Sequence, residues 1–140
     1  MKRTANAHWN GDLKHGAGQI STQSSTLNKT QYSFNTRFAD GVGTNPEELL
    51  GAAHAGCFTM AVSAVLSQKG FTGGSLDTKA SVELDVATQT ITNIILELTA
   101  SAIDGVSKEQ FEEIAKTAKE NCPLSKALAA TPITLSVIYQ

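Results

Sequence analysis

Two residues in this chain carry nucleophilic sulfur, Cys57 and Cys122. The thiolate is the reactive form of cysteine, so their chemistry depends on what surrounds each sulfur. Cys57 lies in an apolar run, where burial raises a thiol pKa and leaves it inert unless a cation stands close. Arg37 is the candidate cation. Cys122 directly precedes Pro123, a position that caps a short helix with free N–H groups near the sulfur and keeps the residue at a loop. For either cysteine the plain alternative is a small space-filling or turn residue. His54, three residues before Cys57, shares its helical face and reads as a packed supporting residue rather than a base. A Cys-His hydrolase remains open on that spacing, although no oxyanion loop accompanies it. Glu48 is either a helix-capping carboxylate or the group that holds Arg37. His8, His15 and the carboxylates form no CxxC, HxxxH or paired-carboxylate pattern of a zinc or iron site, so no metal or other cofactor is expected.

These residues need elements to position them. Early strands are predicted around Arg3–Trp9, Gly18–Ser24 and Gln31–Phe38. In the third, Tyr32, Phe34, Thr36 and Phe38 alternate with Ser33, Asn35 and Arg37, so Arg37 faces away from the aromatic row. Asn45, Pro46 and Glu48 form a helix-start signal, and the apolar pattern then runs to Gln68, with Gly70 as a stop. Glu48 and Cys57 are separated by about 900° of rotation and ~13 Å of rise on that helix. They start on opposite faces, so a shared site would take Glu48 from a second subunit or act through Arg37.

Beyond Gly70, two alternating strands are predicted. Leu76, Thr78, Ala80, Val82, Leu84 and Val86 form one row, and Ile94, Leu96, Leu98, Ala100 and Ala102 the other, with a turn near Thr88–Thr90. Ser107 and Gln110 open a helix to about Glu120, which Asn121 ends in a left-handed conformation. Pro123 starts a short helix to about Ala129, and Ile133, Leu135, Val137 and Tyr139 alternate in a last strand. Strands, helix, strands and helices in this order make an α+β protein.

At 140 residues the chain fits a single domain, spanning 1–140. Hydrophobic residues make up 41% and charged residues 17%, and the net charge of −2 gives no basic field for nucleic acid. No signal-peptide pattern opens the chain, and the apolar run Leu49–Leu66 is broken by His54, Ser63 and glycines. The expectation is a soluble, cytoplasmic protein with no membrane and no nucleic-acid partner, where lasting oxidation of two cysteines needs a functional cause.

The segment Thr44-Asn45-Pro46-Glu47-Glu48-Leu49-Leu50-Gly51-Ala52-Ala53-His54-Ala55-Gly56-Cys57-Phe58 closely resembles the active-site helix of the OsmC/Ohr peroxidases. Asn121-Cys122-Pro123-Leu124-Ser125 resembles that family's second cysteine motif. The order of elements is similar along essentially the whole chain, and the Glu-Glu-Leu and Ala-Ala-His-Ala features look closer to the OsmC branch, the osmotically inducible proteins. The resemblance implies an OsmC-like fold, with antiparallel sheets packed around a long central helix in an intertwined homodimer whose two active sites lie at the subunit interface. It further implies that Cys57 is the peroxidatic cysteine and Cys122 the resolving one, with Arg37 the activating cation and Glu48 its carboxylate partner.

On that resemblance the expected activity is reduction of organic hydroperoxides, and of hydrogen peroxide more weakly, in oxidative and osmotic stress defence. A Cys57 sulfenate forms first, then a Cys57–Cys122 disulfide, which an external dithiol such as a lipoylated protein reduces. Phe58, Met60 and the aromatic row would line a pocket for organic peroxides or simply pack the core. The alternatives are a non-catalytic dimer of the same fold that binds a hydrophobic ligand, a structural dimer with space-filling cysteines, and the Cys-His hydrolase.

Overall fold

The structure is a computed structural model that describes residues 1–140. The chain gathers into two compact units, Met1–Leu49 and Leu50–Gln140.

In the first unit, β1 (Ala5–Asn10), β2 (Ala17–Thr22) and β3 (Thr30–Tyr32) form an antiparallel sheet in the order β1-β2-β3. Trp9 and Tyr32 flank Gly18, where any Cβ would run into the Tyr32 ring. The strand expected over Gln31–Phe38 stops at Tyr32, and a short helix α1 (Phe34–Phe38) replaces its second half. A reciprocal cap explains the difference. The Thr36 N–H donates to Ser33 Oγ at 3.2 Å, and the Ser33 N–H donates to Thr36 Oγ1 at 2.8 Å. Such local side-chain bonds compete with a strand ladder and win where the strand has few partners. Phe34 and Phe38, four apart on the new helix, meet with ring centroids 5.0 Å apart.

The long helix α2 (Pro46–Gln68) has the predicted bounds. The Glu48 N–H donates to Asn45 Oδ1 at 2.8 Å, while Asn45 Nδ2 donates to the Thr36 carbonyl at 3.1 Å, so one side chain caps α2 and closes α1. Gly70, at φ +83°, supplies the left-handed stop after the last turn.

The second unit holds a sheet of β4 (Leu76–Asp85), β5 (Thr90–Ala100) and β6 (Ile133–Tyr139), with α3 (Lys108–Asn121) and α4 (Pro123–Ala127) between the last two strands. The β4–β5 hairpin is antiparallel, and its turn is held by Asp85 Oδ1, which accepts from the Ala87 N–H at 2.9 Å. β6 runs parallel to β5, against the expectation of purely antiparallel sheets. The crossover through α3 and α4 returns the chain to the starting end of the sheet, which only a parallel strand can use.

The core of this unit follows the predicted row: Ile94, Leu96, Leu98 and Ala100 are at most 2% exposed. Phe58, Val62 and Leu66 of α2 and Phe111, Ile114 and Ala118 of α3 join them. Gly51 brings α2 close to β4, since a Cβ there would lie 3.4 Å from the Ala80 carbonyl oxygen. The opposite face of α2 stays open, with Ala52, Ala53, Gly56, Met60 and Ala64 all exposed. By length and composition alone α2 could cross a membrane, contrary to the reading of its interrupted apolar run. Its other face carries a buried, hydrogen-bonded histidine into the core.

Candidate active site at the paired sulfurs

Helix α2 exposes one face and buries another, and the buried stripe runs His54, Phe58, Val62 and Leu66 at helical spacing. Cys57 sits at the edge of that stripe and is half-buried. On α3 the buried stripe Phe111, Ile114, Ala115 and Ala118 continues, one turn on, to Cys122. Cys122 is therefore 0% exposed and part of the core, not the loop residue that its place before a proline suggested.

Two local details put it there. Asn121 remains helical, its Nδ2 donating to the Thr117 carbonyl at 3.0 Å, and does not take the left-handed conformation expected of it. The chain instead turns at Cys122 itself, which is extended at φ −61° and ψ 121°. Pro123 requires that conformation of the residue before it. Cys122 thus ends α3 and precedes α4 in a single step.

The result is that the two sulfurs meet. Cys57 Sγ and Cys122 Sγ lie 3.2 Å apart, although 65 positions separate them in the chain. Both thiols are free. Burial pushes the Cys57 thiol above its ordinary range; the Leu124 N–H opposes this, and the neighbouring Cys122 adds to the rise. Burial acts on Cys122 in the same sense, but there the Ser125 N–H, the Cys57 thiol, the Ser125 hydroxyl and the Leu124 N–H outweigh it and hold the thiol below its ordinary range.

Cys57 is the sulfur that a dissolved molecule can reach. It lines a surface pocket of 460 Å³ together with Met60, Ala61, Ala64, Val65 and Asn121. The walls are mostly apolar, as an organic tail requires. His54 is 0% exposed, and its Nε2 lies 2.8 Å from Ser125 Oγ. Burial lowers its pKa, so the ring is neutral at physiological pH. It has no hydrogen bond to Cys57, which removes the support for a Cys-His hydrolase.

The other two sequence candidates lie in the first unit. Arg37 is on α1 and not on a strand. Its Nε and Nη2 donate to Glu47 Oε1 at 3.1 and 2.8 Å, while its guanidinium carbon stands 5.1 Å from the centre of the Phe38 ring. The carboxylate that holds Arg37 is Glu47 and not Glu48. Adjacent residues on a helix point about 100° apart, so only one of the pair can face α1. Glu48 is exposed and contributes its N–H to the Asn45 cap. Two acidic residues side by side offered no sequence signal to choose between them. Ser125 was also missed, although its place three residues after Cys122 puts both on one face of α4.

Arg37, Trp9, Tyr32, Phe34, Phe38 and Pro46 border a pocket of 260 Å³ in the first unit. Tyr32 from β3 and Phe34 and Phe38 from α1 thus line a cavity together.

Residues 39–137 match the family model described as OsmC-like protein. The chain is similar to the protein named peroxiredoxin OsmC of Escherichia coli (strain K12), with 48% identity over 132 residues that cover 93% of this chain and 92% of that protein. It is also similar to an organic hydroperoxide resistance protein-like sequence of Staphylococcus aureus, with 32% identity over 64% of each chain. Among solved structures, an organic hydroperoxide resistance protein OsmC from Legionella pneumophila superposes with a TM-score of 0.66 at 25% identity, covering 96% of both chains.

Proposed function

The chain belongs to the OsmC-like protein family, and from that premise we propose that it is a thiol-dependent peroxidase that reduces organic hydroperoxides, and hydrogen peroxide more weakly, in defence against oxidative and osmotic stress. The observation that carries this reading is the 3.2 Å approach of Cys57 and Cys122, with only Cys57 open to a pocket. The names of the relatives, a peroxiredoxin and organic hydroperoxide resistance proteins, support the substrate class.

In this reading the Cys57 thiolate attacks the distal oxygen of the hydroperoxide. The O–O bond breaks, the alkoxide takes a proton and leaves as an alcohol, and Cys57 becomes a sulfenic acid. Cys122 then displaces the hydroxyl to form the disulfide, and an external dithiol, for which a lipoylated protein is suited, restores both thiols by exchange. Because burial raises the Cys57 thiol, the first step needs a cation, and Arg37 held by Glu47 is the group proposed for it. The protein is proposed to work as a homodimer. The exposed, small and apolar face of α2 supports this, since a methyl at Gly56 would meet nothing within 4 Å in the single chain.

The test is dithiol-dependent turnover of cumene hydroperoxide and hydrogen peroxide by wild type, Cys57→Ser and Cys122→Ser. Cys57→Ser is expected to abolish turnover, and Cys122→Ser to allow one oxidation and then stall. Full activity in the Cys57 variant overturns the reading. Binding of a hydrophobic ligand with no peroxide consumed by wild type would favour a non-catalytic member of the fold.

A further inference from the structure

One buried titratable group has no part in the chemistry so far. His54 is fully enclosed, hydrogen-bonded through Nε2 to Ser125, and its Nδ1 is buried with no partner at all. With Nδ1 unpaired, the contact with Ser125 is the ring's one polar attachment. Ser125, only 7% exposed, follows Cys122 by three positions across the first turn of α4. The residues thus follow as a file: His54 bonded to Ser125, Ser125 three positions from Cys122, and Cys122 Sγ 3.2 Å from Cys57 Sγ.

The unpaired nitrogen decides which way hydrogen points along that file. With the proton on Nδ1, a buried N–H would have no acceptor, and Ser125 would spend its hydrogen on Nε2. With the proton on Nε2, only a lone pair goes unmatched, and buried N–H donors without an acceptor are the rarer defect. The tautomer of a neutral histidine follows the bond its ring makes. Nε2–H then donates to Ser125 Oγ, and the Ser125 hydroxyl hydrogen is free to turn toward sulfur.

We propose that His54 and Ser125 are positioning residues for the resolving step: His54, protonated on Nε2, fixes Ser125 so that its hydroxyl donates to Cys122 Sγ and readies that sulfur as a thiolate beside Cys57. The proposal rests on the peroxidase reading for its role in turnover. The ionised Cys122 attacks the Cys57 sulfenic sulfur, and its electron pair forms the S–S bond. The S–O bond breaks, and the hydroxide that leaves takes up the proton Cys122 has released, giving water. Cys122 is oxidised, and the Cys57 sulfenic acid is reduced to the disulfide level, with no further reactant. The direction of the Cys122 shift, with the Ser125 hydroxyl among its causes after burial, the Ser125 N–H and the Cys57 thiol, agrees with this. The groups that face Cys122 are Cys57 from α2 and Ser125 and Leu124 from α4, with His54 of α2 bonded to Ser125; Lys119, Glu120 and Lys126 border Ser125 at the surface.

The test has two parts. In Cys57→Ser the lone Cys122 thiol is titrated by its ultraviolet thiolate absorbance, with and without Ser125→Ala. Loss of the hydroxyl is expected to raise the midpoint by about one unit, roughly a tenfold loss of thiolate below it, and Ser125→Thr is expected to restore it. In single turnover with both cysteines present, the ratio of disulfide formation to sulfenate formation is expected to fall about tenfold in Ser125→Ala, with its pH profile displaced upward by the same amount. His54→Gln, which can still donate to Ser125, is expected to lie between wild type and Ser125→Ala. An unchanged Cys122 midpoint in Ser125→Ala, or a loss that Ser125→Thr does not repair, overturns the proposal. If no sulfenate forms even in wild type, the peroxidase reading fails, and the titration still decides whether the His54–Ser125 pair sets Cys122.

Discussion

Closing the sulfur pair should stabilise the protein, and by an amount that follows from the fold. The sulfurs stand 3.2 Å apart, and a disulfide bond is about 2.05 Å long, so each cysteine needs to shift by well under ~1 Å. That is within the reach of side-chain adjustment, and little native strain should oppose it. The bond closes a loop of 65 residues, for which the loss of freedom in the unfolded chain is worth about 4 kcal/mol. That is a large fraction of the ~5–15 kcal/mol that holds a typical domain together. For 140 residues the unfolding entropy is about 0.3 kcal/mol/K, so melting should rise on the order of 10–15 °C. The assay is calorimetry on reduced protein, on protein oxidised with one equivalent of cumene hydroperoxide, and on Cys122→Ser treated alike, with thiols counted in each sample. Oxidised wild type is expected to lose both thiols and melt higher, and the treated variant to gain nothing. Equal or lower melting of the oxidised form, or bonds between chains in place of within them, would refute the claim that folding pre-aligns the two sulfurs.

Three more outcomes follow from the geometry. Glu47→Gln, which weakens the hold on Arg37, should cut peroxide turnover severalfold while costing under about 1 kcal/mol of stability, as expected for a partly exposed ion pair; Glu48→Gln should leave turnover near wild type, and the reverse order in steady-state rates would restore Glu48 as the partner. His54 has a folded pKa below its unfolded value of about 6.5, so the unfolded chain takes up a proton that the folded one refuses. Its contribution is intact above that pH and fades as the pH falls toward the folded value. Urea midpoints should therefore drop below pH 6.5 more steeply in wild type than in His54→Gln, and parallel slopes would count against a buried neutral ring. Phe111, fully buried and stacked on Tyr139 at 4.5 Å, should cost about 3–5 kcal/mol on truncation to alanine in denaturant unfolding; a loss under 1 kcal/mol would mean this part of the core is loose.

The elements most legible in the sequence were those with strong periodic or capping signals. Asn45-Pro46 opened α2 where the structure opens it, Ser107 and Gln110 began α3, and the β5 row from Ile94 to Ala100 proved to be the buried face of the sheet. The failures have different causes. The alternation from Tyr32 to Phe38 satisfied the strand period, but the Ser33–Thr36 cap made a helix of its second half. The parallel setting of β6 depends on where the crossover returns the chain, which no local pattern records.

Residue types and spacing by themselves determined that two thiols were the chemistry to examine, that one sits on a long apolar helix, and that the other stands at a helix junction before proline. Those are local properties, written in neighbouring residues. Only the tertiary structure decided that the sulfurs meet, that Cys122 is buried, that Glu47 and not Glu48 takes Arg37, and that His54 finds Ser125. Each of these is a contact between segments distant in the chain, set by how helix faces rotate and how strands return, and angles of that kind accumulate over many residues before two side chains can touch.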